Sequence, residues 1–322
     1  MANAEPQIDN VVTVASPAEL GVFEDRIDQT LHFLQSVREA IATAGERGVL
    51  IDLSNCVVAS RAACLLLTAE LDRSRRLHHR VLLRSPVSTE LIEVLYAFGL
   101  YDFFGMKAPL SRAVQRRNDK NTILVRSGDA TLEEVKYKLA TIAAVAKNVC
   151  EKSSLAADIE EALQEAMLNA AEHAYEGVDP EELPPTRWWF AGMYDPDQGE
   201  AFFYALDHGR GIPARALETM PLEIDSYVGS SDADTTSDVE VLEAAILAPR
   251  LNTAGRGKGL PTIVGLLDES MSGGIRIHSG EAAWHSSRKK DQPAVSPPET
   301  ACYRIPRGFP GTLVSLMVTG SL

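Results

Sequence analysis

Two glycine-punctuated segments constrain this 322-residue chain more than any other feature. Residues 200–206 (EAFFYAL) read as a strand that ends in Asp207-His208-Gly209-Arg210-Gly211-Ile212-Pro213. A carboxylate at a strand end, followed by two glycines, lets backbone approach a flat ligand closely. Further on, Gly255-Arg256-Gly257-Lys258-Gly259-Leu260-Pro261 opens an apolar helix over 262–267. Glycines ahead of a helix present backbone N–H groups to an anion, and the helix N-terminus adds partial positive charge.

The residues around these segments supply the rest of a framework. Ile159, Ala162, Leu163, Ala166, Met167, Ala170, Ala171 and Ala174 follow i, i+3, i+4 spacing, which predicts a helix with one buried face. Glu165, Asn169 and His173 are spaced by four and form a polar stripe along that helix. Alone, such a stripe reads as a solvated face. Residues 187–194 and 200–206 read as two strands of a hairpin turning at 195–199. Gly311-Thr312 begins a last strand over 311–316.

The first third has a different rhythm. Strands are expected at 11–14, 48–53 and 81–83, and helices at 18–44, 60–76 and 88–99. Strands alternating with helices imply an α/β layer with a mostly parallel sheet. Residues 105–122 carry glycine, proline and alternating charge with little apolar period, so the linker is placed at 113–122.

Charge limits the partners. The chain carries −14, of which the first 118 residues hold −1 and the remainder −13. Nucleic acid is therefore a disfavoured partner, because phosphate binding needs a basic surface. The local exception is Arg73, Arg75, Arg76, His78, His79, Arg80 and Arg84, which reads as a solvated helix end. No apolar run reaches the length of a membrane span, and the N-terminus lacks a basic start followed by an apolar stretch. The four cysteines are scattered without a CxxC pair. A cytoplasmic protein without zinc or a disulfide framework is expected.

Two resemblances follow from these residues. GVLIDLSNCVVASRAACLLLTAEL, then a strand, then LIEVLYAFGLYDFFG resembles a STAS domain, the α/β fold of anti-sigma-factor antagonists, over residues 1–112. Such antagonists commonly carry a phosphoacceptor serine in an Asp-Ser-Ser-Gly-like loop. Here the run is Ser60-Arg61-Ala62-Ala63, with Ser60 where the aspartate would be, so the domain is a degenerate one used for docking and Ser60 reads as a helix N-cap.

The ordered set of ExxxN on a helix, DxGxG, GxGxGL and GT on a strand resembles the GHKL (Bergerat, HATPase) ATP-binding α/β sandwich. It covers residues 123–322, and EALQEAMLNAAEHAYEG is most similar to the anti-sigma serine kinase branch.

The second resemblance implies roles and cofactors, ATP and Mg²⁺. Asn169 would hold Mg²⁺, which also takes phosphate oxygens and water. Glu165 would orient or deprotonate a water or a substrate hydroxyl. Asp207 would accept from the adenine amino group, Gly209 and Gly211 would leave room for the base, and Thr312 would support both through its hydroxyl. Gly255, Gly257 and Gly259, with Leu260 following, would wrap the phosphates. Lys258 either adds charge near the γ-phosphate or faces solvent; His173 either contacts phosphate or caps the helix.

A mobile lid would fall at 216–254, where eight acidic and no basic residues lie between Arg215 and Arg250. An exposed hairpin insertion is expected at 280–308. The implied function is an ATP·Mg-dependent ATPase or switch whose STAS-like domain, or acidic lid, meets a protein partner. Two alternatives are an anti-sigma-type serine/threonine kinase acting on a separate STAS protein, and an ATP binder without turnover. A homodimer is left open.

Overall fold

The computed structural model describes residues 10–23, 26–78, 80–112, 114, 122–131, 133, 155–177, 186–195, 200–229, 236–247, 259–267, 272–289 and 296–319. The chain is mixed α/β and divides into two compact units, Met1–Lys120 and Asn121–Leu322. That division falls inside the stretch expected as a linker, and the second unit's first strand already begins at Thr122.

The first unit runs β1 (Val11–Ala15), β2 (Glu19–Leu20), α1 (Arg26–Thr43), β3 (Gly48–Asp52), β4 (Val58–Ala59), α2 (Arg61–Leu77), β5 (Val81–Arg84), α3 (Thr89–Ala97) and α4 (Leu100–Phe103). β3 is the middle of a parallel sheet in the order β1-β3-β5, and β2 pairs with β4 in a short parallel ladder. The predicted helix over 18–44 is thus preceded by a strand at Glu19–Leu20. α1 buries Ile27, Leu31, Leu34 and Val37, one stripe at helical spacing. α2 is buried nearly all round over its first turns, Cys64 and Leu65 included. Ser60 caps it by accepting from the Ala63 N–H at 3.2 Å. Its buried Glu70 is held by Arg38 Nε at 2.8 Å and Arg73 Nη1 at 3.3 Å.

The basic cluster at the end of α2 is built into this unit rather than simply solvated. Arg73 pairs with Glu70, Arg76 with Asp72 and Arg84 with Asp52. Arg80 donates to the Glu46 carbonyl, and Arg75 lies over the Phe104 ring at 5.0 Å. His79 lies outside the described residues.

The second unit contains β6 (Thr122–Asp129), α5 (Leu155–Glu172), β7 (Arg187–Asp195), β8 (Glu200–Asp207), α6 (Ile212–Thr219), α7 (Pro221–Val228), α8 (Asp238–Leu247), α9 (Gly259–Gly265), β9 (Ser272–Arg288) and β10 (Glu299–Thr319). Its five described strands form one antiparallel sheet in the order β6-β7-β8-β10-β9. Alternate residues of the strands (Trp188, Phe190, Phe203, Ile275, Ile277, Leu316) meet Ile159, Leu163 and Met167 of α5, Leu242 and Ile246 of α8, and Ile263 of α9. A layer of helices therefore covers one sheet face, as the period-two and period-3.6 patterns require.

The last hairpin of this unit departs from expectation. The last strand starts at Glu299, not Gly311, and the described parts of 280–308 continue β9 and β10 as ladder partners, from Phe309↔Gly280 out to Glu299↔Ser287. Ala282, Trp284 and Ile305 are buried there, so the hairpin is not simply an exposed insertion. The described residues of the acidic stretch 216–254 lie mostly in α6, α7 and α8, and Val241, Leu242 and Ala244 of α8 are fully buried. Asp238, at the start of α8, accepts from the Glu281 N–H at 2.6 Å, which ties the helix to β9. The apolar residues between the acids decide this placement, since burying them outweighs the solvation that the acids on the outer face retain anyway.

Candidate functional site

β8 delivers Asp207 to the end of the sheet, where its backbone pairs with Thr312 of β10 and Trp188 of β7. The residue is 6 % exposed. Its Oδ1 accepts from the Gly209 N–H at 2.8 Å. Burial pushes the carboxyl up from 3.8 to about 7, and hydrogen bonds from the Gly209 and Thr312 backbone N–H groups act against that rise.

The loop after Asp207 is locked to the end of α5. A Cβ on Gly209 would fall 2.2 Å from the Ala174 carbonyl oxygen, so a glycine is needed. That same carbonyl accepts from the Arg210 N–H at 2.8 Å. Tyr175 adds a second tie: its hydroxyl donates to the Arg187 carbonyl at 2.5 Å and accepts from the His208 N–H at 3.0 Å. Arg210 reaches Glu218 of α6 at 3.0 Å, and Arg215 bonds Glu176. Glu218 thus spends its charge inside this joint.

Glu165 and Asn169 come together with the start of α9. A Cβ on Gly259 would lie 2.9 Å from Asn169 Nδ2, 2.9 Å from Glu165 Oε2 and 3.1 Å from Asn169 Oδ1. A carboxylate, an amide and the first residue of the helix after the glycine loop therefore share one spot. Burial raises the pKa of Glu165, and the negative charges of Glu161 and Glu172 raise it further. A carboxylate raised in this way is a stronger base than a free one. Leu260, next in sequence, packs against both the main core and a smaller cluster built from α6, α7 and α8.

His173 is not drawn into the constellation by any described contact. It stands exposed at the helix end, its Nε2 3.9 Å from the Glu172 carboxylate. The helix end is closed instead by the backbone, the His173 and Ala174 N–H groups both donating to the Asn169 carbonyl. Gly255, Gly257 and Lys258 lie outside the described residues.

Thr312 differs from its expected role in one respect. Its backbone N–H, not its hydroxyl, supports Asp207. The hydroxyl lies 3.0 Å from Ser279 Oγ. Ser279 of β9 is fully buried, accepts from the Ile212 N–H at 2.7 Å and donates to the Gly311 carbonyl at 3.1 Å. Gly211 and Gly311 both hold φ +84°, a region that favours glycine. A Cβ on Gly311 would fall 2.1 Å from the Asp207 carbonyl oxygen. Ser279 and Tyr175 were missed by sequence reasoning, since neither sits in a spaced motif.

The donor set at Glu165 and Asn169 consists of hard oxygens, which fit a small divalent cation sharing its remaining positions with phosphate and water. Among the described residues no group of three or more His, Cys, Asp or Glu could hold a metal by itself. An open cleft of about 620 Å³ between β1 and α1 shares no residue with this constellation.

Fold and site together define a mixed α/β chain. Its second unit holds a buried carboxylate between glycine turns at the end of an antiparallel sheet, and a Glu–Asn pair of α5 against a helix start. No protein-family profile matches the chain, and no curated protein is significantly similar to it. No helix among the described residues is long and apolar enough to cross a membrane.

Proposed function

We propose that the second unit binds ATP with Mg²⁺ and works as an ATPase or ATP-gated switch, while the first unit docks a protein partner. The observation that carries this reading is the meeting of Glu165, Asn169 and Gly259, residues that lie 94 positions apart at the extremes and converge on one point. The resemblance of the ordered motifs to a GHKL ATP-binding domain, and of the first unit to a degenerate STAS domain, supports it. A cytoplasmic site of action fits the use of ATP.

In this reading Asn169 would hold the cation, which would supply charge neutralisation to the phosphates. Glu165 takes the proton of the attacking water. Asp207 accepts from the exocyclic amine of adenine, and the glycine turns at Gly209 and Gly211 keep side chains off the base. By the resemblance, Gly255, Gly257 and Gly259 would wrap the phosphates. Ser60, engaged as the cap of α2, favours a docking role for the first unit over a phosphoacceptor one.

The test uses purified protein, Mg²⁺ and ATP labelled on the γ-phosphate. Free phosphate and labelled protein are followed together, with Glu165→Ala beside the wild type. Release of phosphate that vanishes in the variant is expected. Label passing to an added STAS protein without free phosphate would establish the serine/threonine kinase instead. Retained ATP with neither product would leave a binding module without turnover.

A further inference from the structure

Ser279 lies level with the proposed base-binding carboxylate, two strands away. Ser279 of β9 is the ladder partner of Thr312 in β10, and Thr312 is the ladder partner of Asp207 in β8. Its hydroxyl makes three contacts: the Ile212 N–H at 2.7 Å, the Gly311 carbonyl at 3.1 Å and the Thr312 hydroxyl at 3.0 Å. A serine hydroxyl has one proton and two lone pairs. The Ile212 N–H can only donate, and the Gly311 carbonyl can only accept. One arrangement of protons satisfies all three contacts. Ser279 gives its proton to Gly311, and its lone pairs take the Ile212 N–H and the Thr312 O–H. The side chain is 0 % exposed, so no water competes for this arrangement. The Thr312 hydroxyl, half-buried at the site, is then left with lone pairs alone.

We propose that Ser279 is a positioning residue that fixes the Thr312 hydroxyl as an acceptor, so that the site beside Asp207 takes a 6-aminopurine nucleotide and rejects a 6-oxopurine one. The proposal rests on the nucleotide-binding reading above. A 6-amino group offers protons to the Thr312 hydroxyl and the Asp207 carboxylate. Above about pH 7, where the Asp207 carboxyl is ionised, a 6-oxo group meets two acceptors and leaves buried polar atoms without partners, the arrangement that discriminates most strongly between close analogues. Ser279 also explains Gly211: a Cβ there would fall 2.9 Å from Ser279 Oγ, so the clasp and the glycine turn require each other.

The experiment is calorimetric titration of the full chain with Mg·ATP and with Mg·ITP, which carries a 6-oxo group in place of the 6-amino group. The wild type prefers ATP. In Ser279→Ala the Thr312 hydroxyl is free to rotate and donate to the 6-oxo group, so the ATP-to-ITP preference falls about tenfold, the scale of one buried hydrogen bond. Thr312→Val loses a similar part of the preference, and the double variant loses no more than Thr312→Val alone. If Ser279→Ala weakens both nucleotides equally, Ser279 is merely structural and the proposal is overturned while the nucleotide reading stands. If the wild type binds neither nucleotide, the nucleotide reading itself falls. Ser279→Cys, closer in volume and a poor hydrogen-bonding group, serves where Ser279→Ala does not fold. A Thr312→Val variant that keeps the full preference overturns the proposal whatever the Ser279 variants do.

Discussion

Asp207 is a carboxyl held where water does not reach it, and this has a measurable consequence. Its pKa rises from 3.8 to about 7 on folding, chiefly through burial. Between those values the folded chain keeps a proton that the unfolded chain has lost. Stability contributed at this site therefore falls as pH rises through the window, and the cost is complete above about 7. Asp207→Asn removes the titration while keeping an acceptor for the Gly209 N–H. The variant's melting temperature, relative to wild type, should rise between pH 5 and pH 8; a difference independent of pH would contradict the assigned burial. Ser60→Ala, by contrast, removes a helix cap and should cost about 1 kcal/mol with ATP handling unchanged. Denaturant melts and binding isotherms of the same sample check both parts. Glu165, Asn169 and Asp207 were legible because each sits in a short spaced pattern. Ser279 was not, because its hydrogen-bond partners lie 32, 33 and 67 residues away and a lone serine in a strand leaves no local signal.

Two glycines of the same motif set belong to different joints between elements, and substitution should separate them. Gly209 sits against backbone, with the Ala174 carbonyl 2.2 Å from where a Cβ would be. The α5 end and the β8 loop must part to admit a methyl group, so Gly209→Ala should cost about 3 kcal/mol. Gly259 faces the ends of two side chains, Glu165 and Asn169, which can swing away. Gly259→Ala should stay within about 1 kcal/mol of wild type in stability yet abolish turnover. Equal stability losses in the two variants would contradict this division. Apolar periodicity made α1, α2, α3, α5, β7 and β8 legible. α8 was obscured because the acids of 216–254 drew attention to charge, while Val241, Leu242, Ala244, Ala245 and Ile246 pack inward. The outer halves of β9 and β10 were obscured by the Ser/Pro/Lys-rich run between them, which masked alternation on either side.

Charge and connectivity divide the whole molecule alike. The first 118 residues are almost neutral, and their basic cluster at the end of α2 and in β5 is met by Glu70, Asp72, Asp52 and carbonyl oxygens within the same unit. The second unit has its own core of Trp188, Phe190, Phe203, Leu242, Ile275 and Trp284. Fragments 1–120 and 121–322 should therefore each unfold cooperatively when expressed alone. Circular dichroism melts test this, and a fragment without a cooperative transition would show that the units depend on each other.

Titrating ATP into wild-type and Asn169→Ala protein by calorimetry, with and without Mg²⁺, shows whether the second unit holds Mg·ATP through Asn169. Mg²⁺-dependent binding in the wild type and its loss in the variant are expected, with melting temperatures nearly unchanged because Asn169 is only half-buried. Wild-type protein that binds no ATP, or a variant with unchanged Mg²⁺-dependent affinity, would contradict this expectation.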